Sequence, residues 1–164
     1  MLSSDAKVIL RAIHKTDGVS FDTILMPSWV ADLRLKIFGI GNCNLAFSTN
    51  SDIGPAINFL AAAYGGKEVN NARVAAYITQ LAKQGCDVNA YDQAGMTSLH
   101  AAVLFERPQL VKLLLDNKAD MRKKIQRSGK RVDGMQPLEF AKFLSTTNNH
   151  QALSDIINIL RNKR

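Results

Sequence analysis

A chain of 164 residues is long enough to bury roughly 70% of its unfolded surface in a single domain, which excludes a small scaffold that needs disulfides or metals to fold. Hydrophobic residues at 46% against 21% charged exclude the composition of a disordered chain, and no apolar run reaches the ~18 residues of a membrane span. The formal net charge of +7 sits at the C-terminal end: residues 122–164 hold ten cations and three acids, whereas residues 1–70 hold six of each and residues 71–121 five of each.

The opening Met1-Leu2-Ser3-Ser4-Asp5 has neither the basic end nor the apolar core of a secretory signal, so a soluble, cytoplasmic protein is expected. Ser3 or Ser4 caps a first helix with Ala6, Ile9, Leu10 and Ile13 on one face, ending near Asp17-Gly18. A second helical stripe places Met26, Trp29, Val30, Leu33, Ile37 and Ile40 together, with Gly39, Gly41 and Asn42 as stop signals. Residues 48–52 read as a loop. Ile57, Leu60, Ala61 and Tyr64 then fall at helical spacing before Gly65-Gly66, and Val74, Tyr77, Ile78, Leu81 and Ala82 follow on one face before Gly85. Leu99, Ala102 and Val103 form a short helix broken at Arg107-Pro108, and Leu110, Val111, Leu114 and Leu115 form its partner. Leu138, Ala141 and Leu144, then Leu153, Ile156, Ile157 and Leu160, complete the series. No segment alternates as a strand does, so the fold class is all-α, built from helix pairs. Cys43 and Cys86 stand 43 residues apart with no cysteine beside either, and both read as buried small apolar groups rather than a zinc knuckle or a redox pair.

The pairs repeat with a period of 33. Gly85-Cys86-Asp87-Val88-Asn89-Ala90 aligns with Lys118-Ala119-Asp120-Met121, and the same shift lays Ile78 on Val111 and Leu81 on Leu114. Between them, Asp92, Gly95, Thr97, Leu99, His100 and Ala102 stand at the spacing of D, then G-x-T-P-L-H-x-A. Residues 92–124 resemble an ankyrin repeat. Ser98 stands for the family's proline, Glu106 and Lys118 for its glycines, and Arg122 for its last asparagine. Residues 54–91 and 131–164 are weaker copies, the latter with Gln136 for threonine and Glu139 for histidine. The distance from Gly95 to Gly134 is six residues over the period, which places a basic insertion at residues 125–130; a second insertion falls within residues 145–151. The resemblance implies one domain, an ankyrin-like solenoid of stacked helix-turn-helix repeats with short turn fingers, and residues 1–50 as an N-terminal helical cap or a degenerate repeat. It also implies that His100 bonds to neighbouring backbone instead of serving as a base or ligand.

In that family the fingers and first helices form a concave surface that binds proteins. Its variable positions here are Tyr91, Gln93, Ala94, Met96, Leu104, Phe105, Asn117, Arg122 and Lys124, and apolar Tyr91, Met96 and Phe105 there either have the composition of an interface centre or pack against the insertion or the neighbouring finger. Arg122, Lys123, Lys124, Arg127, Lys130 and Arg131 place six cations in ten positions on one finger, where they repel one another and gain nothing for folding, so the loop is either simply solvated and mobile or meets an acidic partner. The expected function is non-catalytic recognition, extending by analogy to inhibition, of an acidic protein through the concave face and a long basic finger, as in immunity or antitoxin proteins. Nucleic-acid binding through the same cations is the alternative, weakened by the lack of an aromatic residue in the cluster to stack on bases. No catalytic motif appears, and no metal, cofactor or membrane partner is implied. The oligomeric state is left open.

Overall fold

Asn70 and Arg73 show how the N-terminal helices are joined. The Asn70 N–H donates to the Ile13 carbonyl at 2.7 Å and the Arg73 guanidinium donates to the Ala12 carbonyl at 2.8 Å, so two carbonyls left over at the end of the first helix are satisfied from a later turn. In the computed structural model, residues 4–14, 43–46, 53–126, 129–147 and 150–163 are described. They divide into two compact units, Met1–Cys86 and Asp87–Arg164.

The first unit contains α1 (Ser4–Ile13), β1 (Asn44–Ala46), β2 (Ile53–Pro55), α2 (Ala56–Ala63) and α3 (Asn71–Lys83). Helices α2 and α3 pair as their periodicity predicts, burying Ile57, Leu60 and Ala61 of one and Val74, Tyr77, Ile78 and Leu81 of the other. Asn70 caps α3 by accepting from the Arg73 N–H at 3.2 Å. Helix α1 ends at Ile13, short of Asp17-Gly18, and its buried residues include Val8, Ile9, Ala12 and Ile13. The stripe from Met26 to Ile40 lies outside the described residues.

Two features depart from expectation. β1 and β2 pair antiparallel, with Leu45 opposite Gly54; at three residues each they are too short for a period of two to register in the sequence. Cys43 and Cys86 are not independent apolar groups: they form a disulfide, with Cys86 buried and Cys43 exposed. Separation along the chain had argued against a pair. The Ala56 N–H bonded to the Cys43 carbonyl at 2.7 Å places Cys43 against the start of α2, and α2 packs on α3, whose end leads into Cys86.

The second unit contains α4 (Ser98–Leu104), α5 (Pro108–Asp116), α6 (Pro137–Ser145) and α7 (Gln151–Asn162). Short α4 packs on α5 and on α6, and α5 packs on α7, so first helix lies on first helix and second on second, the stacking of a helical repeat. Leu99, Ala102, Val103, Leu110, Val111, Leu114, Leu138, Phe140, Ala141, Leu153, Ile156 and Leu160 form its core. Each first helix begins with a reciprocal cap. Thr97 donates its N–H to His100 Nδ1 at 3.4 Å, and the Gln136 N–H donates to Glu139 Oε2 at 2.9 Å; different residue pairs close the same box. Ser98, where the family has proline, is buried and gives its hydroxyl to the Val88 carbonyl at 2.8 Å, which removes the penalty of a buried hydroxyl. The two residues in place of glycines keep the glycine conformation, Glu106 at φ 54° and Lys118 at φ 68°. The architecture is mostly helical and ankyrin-like.

Candidate functional site

The finger is built on a stem that repeats. The Asp92 N–H donates to the Met96 carbonyl at 2.9 Å, and Asp92 Oδ1 accepts from the Met96 N–H at 2.8 Å, closing a tight turn with Gly95 at φ 70°. In the next finger the Ile125 N–H donates to the Met135 carbonyl at 3.0 Å, and the Gly134 N–H returns to the Ile125 carbonyl at 2.9 Å. Met135 follows Gly134 as Met96 follows Gly95, so the six extra residues lie inside the hairpin between Ile125 and Met135. Ile125 is fully buried; this single apolar residue within the basic run is the stem's anchor, and the sequence reading assigned it to the insertion.

Adjacent fingers are stitched together. The Gln126 N–H donates to the Gly95 carbonyl at 2.8 Å, and a Cβ on Gly95 would come within 2.0 Å of the Gln126 carbonyl oxygen. His100 reaches the same finger from α4: its Nε2 donates to the Met135 carbonyl at 3.2 Å while its Nδ1 accepts from the Thr97 hydroxyl at 2.9 Å. Burial lowers the His100 pKa from 6.5 to about 4, against the opposing pull of the Met135 carbonyl bond and the Asp92 charge. A neutral imidazole with both nitrogens committed is a structural bracket.

The expected contact residues separate into three groups. Leu104 and Phe105 are exposed at 41% and 44%, the large apolar side chains left to solvent among the described residues. They lie where α4 ends, before the turn through Glu106. Gln93, Arg122, Lys124, Lys130 and Arg131 are exposed as well. Tyr91 and Lys123 are half-buried, with Lys123 Nζ 5.7 Å from the Tyr91 ring centroid; Arg131 lies 5.4 Å from the Phe143 ring centroid. These cation–π contacts seat two of the finger's cations on aromatic faces.

Two expected residues are engaged in the fold itself. Met96 is buried at 6%, because the Asp92 turn directs the chain inward there, and it packs as core. Asn117 is half-buried and gives its side-chain amide to the Leu113 carbonyl at 2.8 Å, ending α5 by satisfying one of its last carbonyls. Arg127 lies outside the described residues. A cavity of about 590 Å³ that no sequence signal marks is lined by Ala119, Asp120, Met121, Arg122, Gln136 and Lys163. Of these only Arg122 is an expected contact residue, since the cavity joins residues from three separate turns.

Among the described residues, no helix is long and apolar enough to cross a membrane. No curated protein matches the chain. The ankyrin repeat family model matches residues 94–124, the segment that runs from the first finger turn through α4 and α5 to the base of the basic finger. Such repeats generally mediate protein–protein interaction and are typically non-catalytic. Residues 94–124 are thus similar to an ankyrin repeat, and this matched segment is the one that carries Leu104, Phe105 and the start of the cationic finger.

Proposed function

We propose that the chain is a non-catalytic binding module that recognises an acidic protein, and inhibits it by occupying its surface, through the long finger together with Leu104 and Phe105. The carrying observation is the finger's stem. Ile125 bonded to Met135 and Gly134, and Gln126 bonded to Gly95, anchor the stem on which Lys123, Lys124, Lys130 and Arg131 are carried. Cations presented in fixed positions lose less side-chain and loop entropy on binding than mobile ones, and like charges gathered without acids among them favour a partner of opposite sign. Exposed Leu104 and Phe105 add apolar area of the kind found at interface centres.

A disulfide persists in oxidising surroundings and is rare in a reducing cytosol, so the Cys43–Cys86 bond favours an oxidising compartment over the cytoplasm expected from the sequence.

The test is affinity capture from lysate of the source, before and after nuclease treatment, comparing the wild-type chain with a variant carrying Lys123→Glu, Lys124→Glu, Lys130→Glu and Arg131→Glu. One acidic protein bound in stoichiometric amount by the wild type and lost by the variant is the expected result. Recovery of nucleic acid alone, abolished by nuclease, would replace this reading with nucleic-acid binding.

A further inference from the structure

The turn at the base of the basic finger has lost a connection that the preceding turn makes. At the first turn, the Asn89 N–H donates to Asp87 Oδ1 at 2.8 Å. The Asn89 side chain then bridges to the next repeat, its Oδ1 accepting from the Asp120 N–H at 2.7 Å and its Nδ2 donating to the Lys118 carbonyl at 3.4 Å. The second turn repeats the first half of this pattern 33 residues later: the Arg122 N–H donates to Asp120 Oδ1 at 2.8 Å. The second half is missing. Arg122 stands where Asn89 stands in the period, and its exposed guanidinium has no partner among the described residues.

The cavity of about 590 Å³ lies at this turn. Its wall brings Arg122 together with Gln136, the N-cap of α6, and Lys163, the C-cap of α7. The volume is within the range of sites that enclose a small ligand or a side chain with its flanking backbone. Its lining holds one acid, Asp120, whose Oδ1 accepts the Arg122 N–H, and Lys163 Nζ pairs with Asp116 Oδ1 at 2.8 Å. The donors exceed those acceptors. Arg122 offers a planar fork with five N–H groups, and Lys163 has N–H groups beyond the one used by Asp116. A fork of this kind matches the two oxygens of a carboxylate.

We propose that this cavity is a carboxylate-accepting subsite, in which Arg122, supported by Lys163, grips an aspartate or glutamate side chain of the protein partner. The assignment rests on the acidic-partner reading above and locates its anchoring point at the finger's base, between the second turn and the end of α7. The tip cations Lys130 and Arg131 then act on approach and orientation, while Arg122 supplies the directional contact.

The experiment is a titration of the full chain, labelled with nitrogen-15, with acetyl-hexaglutamate amide as the probe, read by NMR at the Arg122 side-chain Nε–H and the backbone amides of Met121, Arg122 and Lys163. Saturable shifts at these positions are expected. Arg122→Asn should abolish them and weaken binding at least about tenfold without lowering Tm, because asparagine is the residue that serves this turn one repeat earlier. Arg122→Lys, which keeps the charge and loses the fork, should bind more weakly than wild type. Shifts confined to the Lys123–Arg131 finger, or unchanged affinity in Arg122→Asn, would overturn the subsite and leave the acidic-partner reading standing. Equal saturable shifts with inorganic phosphate would reduce the cavity to a general anion site and overturn its assignment to a protein carboxylate. No binding of the acidic probe by the wild-type chain would count against both.

Discussion

His100 in α4 and Met135 in the following finger are joined by a bond of 3.2 Å from Nε2 to the carbonyl oxygen, so the residue most tempting as a catalytic base is the bracket that holds the basic finger on its repeat. The neutral imidazole is required for this role, since Nδ1 accepts from Thr97. Burial sets its pKa at about 4, below the 6.5 of the unfolded chain. Its contribution is therefore fully present above pH 6.5 and is lost as pH falls from 6.5 towards 4, an effect of about 3 kcal/mol over the whole interval. Urea midpoints should be lower at pH 5.0 than at pH 7.5, and the difference should shrink in His100→Gln. Equal midpoints in the wild type would contradict the assignment.

Gly95 and Gly134 occupy matching positions with similar φ, 70° and 77°, but only Gly95 faces another finger. An added Cβ there meets the Gln126 carbonyl, while at Gly134 it meets open space. Gly134→Ala should cost about 1 kcal/mol, the price of a left-handed alanine. Gly95→Ala should cost clearly more and displace the finger stem, visible as loss of amide protection at Gln126. Similar melting temperatures for the two variants would show that the stitching bond contributes little.

Lys118 and Glu106 carry left-handed backbone without the freedom of glycine. Lys118→Gly should raise stability by about 1 kcal/mol, because the bond from Asn89 uses its carbonyl, which the change preserves. Glu106→Gly should gain less, since it also removes the 2.7 Å contact between Glu106 Oε2 and His150 Nδ1. Denaturant titration of both variants measures the difference.

Among the described residues, the order of the helices and the positions of their buried residues were legible because each pair repeats a 3.6-residue period, and a 33-residue shift aligns one pair with the next. Substituted signals were harder to read. Gln136 and Glu139 cap a helix as Thr97 and His100 do, which follows from hydrogen-bonding capacity and not from residue identity. Met96 looked like a surface residue because it occupies a variable position, yet the Asp92 turn buries it. The Cys43–Cys86 bond and the cavity beside Arg122 both arise from residues far apart in the chain. Local periodicity carries no information about such pairs.

The disulfide closes a loop long enough that its removal should destabilise the first unit by about 2–4 kcal/mol. Thiol titration of the unfolded, unreduced protein should find no free cysteine, and unfolding with and without reductant should separate by that amount. Two titratable thiols in protein handled without reductant would contradict the bond.

The most direct measurement on the central claim is calorimetric titration of the captured acidic partner into the wild-type chain and into a Leu104→Ala, Phe105→Ala double variant, at two salt concentrations. The double variant should bind about 2 kcal/mol more weakly with an unchanged helical circular dichroism spectrum, and the wild-type affinity should fall as salt screens the finger. Affinity unaffected by both the double substitution and the salt would show that neither the finger nor the Leu104–Phe105 patch forms the binding surface.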